Sequence, residues 1–467
     1  MTRRDSSAEQ PGAAEIPTLE EPLPAAAPQG TPLSATAAVA THDHTGGISH
    51  AWRALRAPNF RLFFSGQSIS LIGTWMTRIA TSWLVYRLTG SAWLLGIVGF
   101  MGQIPTFLLA PFAGVWVDRW NKRTVLVWTQ VLAALQSLAL AALTLTKHIT
   151  VADILALSVL QGLINAFDMP GRQSFLVEMV DDKRDLGNAI ALNSSIVNVA
   201  RLVGPSLAGF VISLYGEGWC FLIDGVSYFA VIASLLMMHL RPIAVVESGH
   251  SVFQQLREGW HYVSNFLPIR NLLLLFAVVS LMGIPYTVLM PVFASRVLHG
   301  GPHTLGALMG AAGVGALVSA ALLALRKTVK GLLKMVPISA ALFGVGLIGF
   351  GFSHILWLSL ILMLVVGFGM MQGMAASNTI IQTLAPADKR GRIMSFYTMA
   401  FVGMAPFGSL LAGGLAHVVT ASWAVVITGS CCVLGAAWFW RQMGAVRAAI
   451  RPIYRELGII RPAPETH

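Results

Sequence analysis

Five charged side chains fall inside or at the edge of long apolar runs: Arg78, Asp168, Arg172, Arg201 and Asp224. A charge held at the centre of a bilayer costs about 3 kcal/mol or more, so such residues face a bundle interior or a watery cavity and mark ion or substrate paths. Arg201, near the middle of its run, has two readings. It is either half of a fixed ion pair, with Asp168 or Asp224 as partner, or a site for a substrate anion or proton coupling. Arg78 lies towards the outer part of its run. It could line a cavity and meet an anionic substrate, or snorkel to the interface. Asp224 enters its run from the outer side and could titrate if buried, because burial disfavours the charged form. Asp168 and Arg172 sit near the inner end of theirs, where an inner gate or packing is expected.

Other chemistries find little support. His42, Asp43, His44 and His50 could form a metal-binding tract or simply be solvated polar residues. Cys220, Cys431 and Cys432 lie in or beside apolar runs and read as small buried hydrophobes. No cluster of His, Asp and Glu shares one depth, as a membrane enzyme would need. No GxxxxGK[ST] loop is present, so ATP is not expected to drive this chain. No metal and no cofactor is expected.

The elements that position these charges follow from composition. Of 467 residues, 55% are hydrophobic and only 11% charged, against about 25% charged in soluble domains. The mean hydropathy of +0.69 implies surface that only lipid can solvate. Segments able to span about 30 Å of hydrocarbon are predicted at 60–86, 92–117, 124–146, 151–170, 187–214 and 219–239. Six more are predicted at 268–297, 304–325, 332–352, 355–384, 392–417 and 421–440. The fold class is therefore all-α and integral to the membrane.

The net charge of +11 reports orientation rather than nucleic acid. Arg87, Lys147 and Arg296 fall in one set of loops and Arg78 and Arg201 within spans. Every other Lys and Arg of the 31 falls in the alternate loops and tails. Basic loops stay inside, so both termini are expected in the cytoplasm. Residues 1–50 lack the apolar run of a signal peptide and read as a disordered cytoplasmic tail. Residues 240–267, with Glu247, His250, Arg257, Glu258 and His261, read as a cytoplasmic linker between bundles at 51–239 and 268–440. Residues 441–467 read as a basic tail.

A weak internal repeat supports two pseudo-symmetric six-helix bundles. Asp182, Lys183 and Arg184 parallel Asp388, Lys389 and Arg390. The stretch GPSLAG at 204–209 parallels GSLLAG at 408–413, and Leu95-Gly96 parallels Leu305-Gly306. Within the first stretch, Pro205 removes a backbone donor while Gly204 and Gly209 permit close helix approach. Met370, Met371 and Met374 could line a pliable lipophilic pocket or be ordinary packing.

The stretch GVWVDRWNKR at 114–123, in the loop after span two, resembles the loop signature of the major facilitator superfamily. Three further stretches are similar to the branch of enterobactin exporters and macrolide-type drug efflux proteins. They are NFRLFFSGQSISLIGTW at 59–75, DMPGRQSF at 168–175, and NAIALNS at 188–194 followed by RLVGPSLAG at 201–209. The resemblance covers roughly residues 55–440. It implies a gating loop of Gly114, Asp118, Arg119, Lys122 and Arg123, with the glycine allowing close helix approach. It implies that Asp118 meets the start of span eleven near Arg392 to Ser395. Gly204, Pro205 and Gly209 resemble an antiporter signature. Two departures stand out. Ser158 takes the place of an arginine common in proton-coupled relatives, and Ala324 and Thr328 replace the second-half loop signature.

The expected function is export of a siderophore-like or drug-like small molecule by alternating access with proton antiport. The expected setting is a monomer in a bacterial cytoplasmic (inner) membrane. The expected partners are the small-molecule substrate, protons and the lipid bilayer, with no nucleic acid. Lysophospholipid movement, nutrient uptake, a non-transporting sensor and a polytopic membrane enzyme are the alternatives.

Overall fold

The computed structural model describes residues 53–180, 185–239, 252–326, 328–386, 389–457 and 459. Each apolar run satisfies its backbone polar groups internally, which hydrocarbon demands, and so becomes a helix. The first bundle holds α1 (Pro58–Thr89), α2 (Ala92–Arg119), α3 (Lys122–Leu145), α4 (Val151–Leu176), α5 (Leu186–Tyr215) and α6 (Glu217–Met237). The helix α7 (Val252–Asn265) leads into the second: α8 (Leu267–Val278), α9 (Tyr286–Val292), α10 (Pro302–Ala324), α11 (Leu332–Phe352), α12 (Leu356–Leu384), α13 (Arg390–Val402), α14 (Ala405–Val418) and α15 (Ala421–Glu456).

Local chemistry sets several boundaries. Ser91 and Asn121 cap α2 and α3 by accepting from the amides of Leu94 (3.3 Å) and Thr124 (3.1 Å). Thr150 and Asp153 form a reciprocal capping box on α4. Gly90 ends α1 in the left-handed region at φ 62°.

Among the described residues, 11 helical segments are long and apolar enough to cross a membrane. The remaining rod of the first bundle is α1. Its 32 residues suffice in length, but its arginines and hydroxyl residues make it less apolar. It packs between α5 and α6. Stacked Trp116, Trp120 and Phe167 mark the basic end of this bundle, and Tyr215 and Trp219 the far end, as interfacial aromatic belts do.

Three predicted segments differ in detail. The run at 268–297 is interrupted by wide π turns at Val279–Gly283 and Phe293–Val297. Pro285 and Pro291 supply no backbone donor there. The run at 392–417 breaks at Gly403 and Met404, after which Pro406 opens α14. The predicted basic tail is helical from 441 to Glu456 as the continuation of α15, and Met443, Val446 and Ile450 of that stretch are buried. The expectations for His42, Asp43, His44, His50, Asp182, Lys183, Arg184, Glu247, His250 and Asp388 lie outside the described residues.

The halves touch along α2 with α14 and α5 with α10. At the far end a side chain begun at Gly96 would meet the Ser409 carbonyl oxygen at 2.8 Å and Gly413 Cα at 2.9 Å. One begun at Gly209 would meet the Pro302 carbonyl oxygen at 2.7 Å and Gly306 Cα at 3.0 Å. Arg296 of the second half donates to the Gly90 carbonyl oxygen (3.2 Å) at the same end. At the basic end, nothing outside its own helix stands within 4 Å of where a side chain at Gly114 would begin.

Candidate functional site

Between the halves, α1 and α5 bring Arg78 and Arg201 to one tryptophan. The guanidinium carbon of Arg78 lies 4.7 Å and that of Arg201 5.4 Å from the centre of the Trp75 ring, within cation–π reach. Gly204 makes this possible, because a Cβ there would collide with Trp75 Cβ. The Nε of Arg201 is buried without a hydrogen-bond partner. Tyr286 of α9, from the second half, lies in the neighbourhood of Arg201. Its ring meets Phe343 edge-on at 6.2 Å.

Neither predicted acid partners Arg201. Asp168 pairs with Arg172 one turn along α4 and also accepts from Gln130 (2.7 Å) and Thr129 (3.1 Å) of α3. Its lone pairs are therefore used locally, which corrects the expectation of a long-range pair. Asp168→Ala would leave Arg172 and the Gln130 amide of α3 unmatched, while Thr129 could still donate to the Leu126 carbonyl oxygen. A loss of about 3 kcal/mol is expected, readable as a lowered unfolding midpoint in detergent. An unchanged midpoint would refute the packing role.

Asp224, only 1% exposed, lies where α6 meets α1 and α3. Its carboxylate accepts from Ser137 (2.9 Å) and Thr74 (3.5 Å), and the Tyr228 hydroxyl stands 3.3 Å from that of Thr74. Among the described residues it pairs with no basic side chain.

The loop signature works as an anchor. Lys122 pairs with Glu178 after α4 at 2.6 Å. Arg123 donates to the Leu236 carbonyl oxygen at the end of α6 (2.6 Å), where the helix dipole favours a cation. Arg119 is exposed. Asp118 closes α2, and its side chain lies outside those described. Arg392, its expected neighbour, is ion-paired with Glu258 of α7. Gly114 does not make the expected close helix approach: nothing stands within 4 Å of where a side chain there would begin.

Pro205 and Gly209 belong to the far-end contact, the Pro205 carbonyl oxygen lying against Gly306. In the second half, Met370 and Met374 line a small apolar pocket with Phe276, Phe343 and Phe401. Met371 is instead packed in the core. Sequence reasoning assigned no role to Trp75, Tyr286, Ser137, Thr74 or Glu178. The signal for Trp75 was present: residues three apart share a helix face, which sets Trp75 beside Arg78.

Comparison with known proteins agrees with this architecture. The family described as transmembrane secretion effector matches residues 49–449. The staphyloferrin A transporter of Staphylococcus aureus is 28% identical over 354 residues, covering 75% of this chain and 88% of that one. The multidrug efflux pump Tap of Mycolicibacterium fortuitum is 26% identical over 369 residues, covering 77% and 90%. A solved bacterial homologue of the human lysosomal transporter Spinster, inward-facing and occupied, superposes with a TM-score of 0.64 at 13% identity. It covers 90% of this chain and 100% of that chain, a likeness of fold.

Proposed function

The chain belongs to the transmembrane secretion effector family of major facilitator transporters, and from that premise we propose that it exports a small molecule by alternating access in exchange for protons. The substrate is siderophore-like or drug-like, in keeping with the relatives named above. The protein acts as a monomer in a bacterial cytoplasmic membrane with both termini inside. On this reading the basic end faces the cytoplasm, and the conformation described is inward-facing.

The observation that carries the reading is a two-sided one. The far end is closed by backbone-to-backbone glycine contacts, while at the basic end the position of Gly114 on α2 has no neighbour within 4 Å. Rocking the two halves about the midplane would open the first and close the second. Asp224 is the preferred proton site, since a buried carboxylate without a cation is costly when ionised. Asp168, already neutralised by Arg172, is the weaker candidate.

The test is transport into everted vesicles containing the chain, with an acid interior. Ethidium is expected to accumulate, and a protonophore is expected to collapse the accumulation. Accumulation that survives the protonophore would remove proton antiport.

A further inference from the structure

We infer that Arg78 and Arg201, gathered on Trp75, form a receptor for an anionic group of the cargo, so that the substrates include carboxylate- or phosphate-bearing molecules with an apolar body. The inference deepens the transport reading and rests on it for the word cargo.

Two cations beside one ring repel each other, and cation–π attraction to Trp75 offsets only part of that. A structural arrangement would place an acid between them. Among the described residues neither arginine forms an ion pair with an acid, and the two acids that the sequence offered as partners are held elsewhere. Asp168 is held by Arg172, Gln130 and Thr129. Asp224 is held by Ser137 and Thr74.

The Nε of Arg201 is left as a buried donor with no acceptor, an arrangement that natural interiors avoid unless something else supplies the acceptor. Arg78 keeps an accessible surface although it lies well inside α1, 20 residues beyond its start at Pro58. Its guanidinium sits over Trp75, the ring that Arg201 of α5 also meets, so it lies on the side where α1 faces α5. A guanidinium fork matches carboxylate and phosphate oxygens with charge-assisted hydrogen bonds.

The apolar body of such a molecule has a surface to lie on. Tyr286 joins Arg201 to Phe343, and Phe343 also lines the pocket of Met370 and Met374. The first half thus supplies charge recognition and the second supplies a deformable apolar wall. Because Trp75, Arg78 and Arg201 come from one half and Tyr286 and Phe343 from the other, a bound anion would sense the relative position of the halves.

The test uses the full chain reconstituted in phosphatidylcholine, with carboxyfluorescein as the anionic probe and ethidium as a cationic one. Binding is read by fluorescence anisotropy and transport by uptake. The wild type is expected to bind carboxyfluorescein. Each of R78Q and R201Q is expected to weaken that binding about tenfold, with R78K and R201K intermediate. Ethidium binding is expected to persist in all of them, which also reports an intact fold. Absent carboxyfluorescein binding in the wild type, or equal binding in R78Q/R201Q, overturns the proposal. If replacing phosphatidylcholine by phosphatidylglycerol abolishes arginine-dependent binding, the anion is a lipid headgroup and the cargo assignment falls. Arginine-dependent binding without uptake of either dye supports the anion site and counts against the transport reading instead.

Discussion

Replacing Gly209 by valine is expected to leave the protein folded but to reduce transport by about a hundredfold. The first atom of the new side chain would lie 2.7 Å from the Pro302 carbonyl oxygen and 3.0 Å from Gly306 Cα. Both obstacles are backbone, so no rotamer change relieves them. Overpacking of this kind costs about 3 kcal/mol. The penalty applies only when α5 and α10 are closed on each other, so it shifts the balance towards states open at the far end. Ser206 lies beside Gly310 in the same contact, and a thiol introduced by Ser206→Cys should then react faster with an impermeant maleimide applied from outside. Cys220 and Cys432 are fully buried and give little background, and the partly exposed Cys431 would first be replaced by serine. Normal transport with unchanged labelling would show that the glycine pair is not part of the moving seal. Gly413→Val should do the same through α2 and α14.

Asp224→Asn is expected to abolish accumulation driven by a pH gradient while substrate exchange at equal pH on both sides continues. Asparagine keeps the size and can accept from one of Ser137 and Thr74, which now donate to different oxygens of the carboxylate, while its amide N–H can donate to the other hydroxyl. It cannot release a proton. If proton release from Asp224 accompanies rearrangement of α1 against α3 and α6, the variant loses the coupling and keeps the rocking. Desolvating an unpaired ion costs several kcal/mol, enough to tie protonation to conformation. The sign is specific. Inside-acid everted vesicles should stop concentrating ethidium, and counterflow of ethidium should remain within about twofold, a change worth under 1 kcal/mol. Loss of both activities with normal folding would mean a structural role, and retention of both would exclude the proton assignment.

Much of the architecture could be read in the residues because it is written in length and repetition. Spans must match the thickness of hydrocarbon, so the twelve runs were visible as apolar stretches. The two halves were visible in motifs that recur. Those motifs serve the same contact in the folded protein. Gly96 and Gly413 meet across the halves, and so do their repeat counterparts Gly306 and Gly209.

The site was less legible, since partners in space are not partners in sequence. Arg201 drew Asp168 as a candidate, yet Arg172 stands one helical turn from Asp168 and takes it first. The arginines were noticed as charges, but the ring that gathers them was not. The interruptions at 279–283 and 403–404 depend on local backbone chemistry that hydropathy averages away. The end of α15 was missed for a related reason. Beyond 440 the chain stops being uniformly apolar, but Arg, Gln, Met and Ala are good helix formers, and an apolar stripe continues along one face.

That last helix has a practical consequence. Its 36 residues reach about 54 Å end to end, well beyond the oily layer, and its buried stripe splices it to the body from which it grows. The end of α15 is therefore a stiff handle instead of a tether. A dye or spin label fixed near Leu457 would report any swing of the second bundle magnified by the length of the lever, without touching the translocation path.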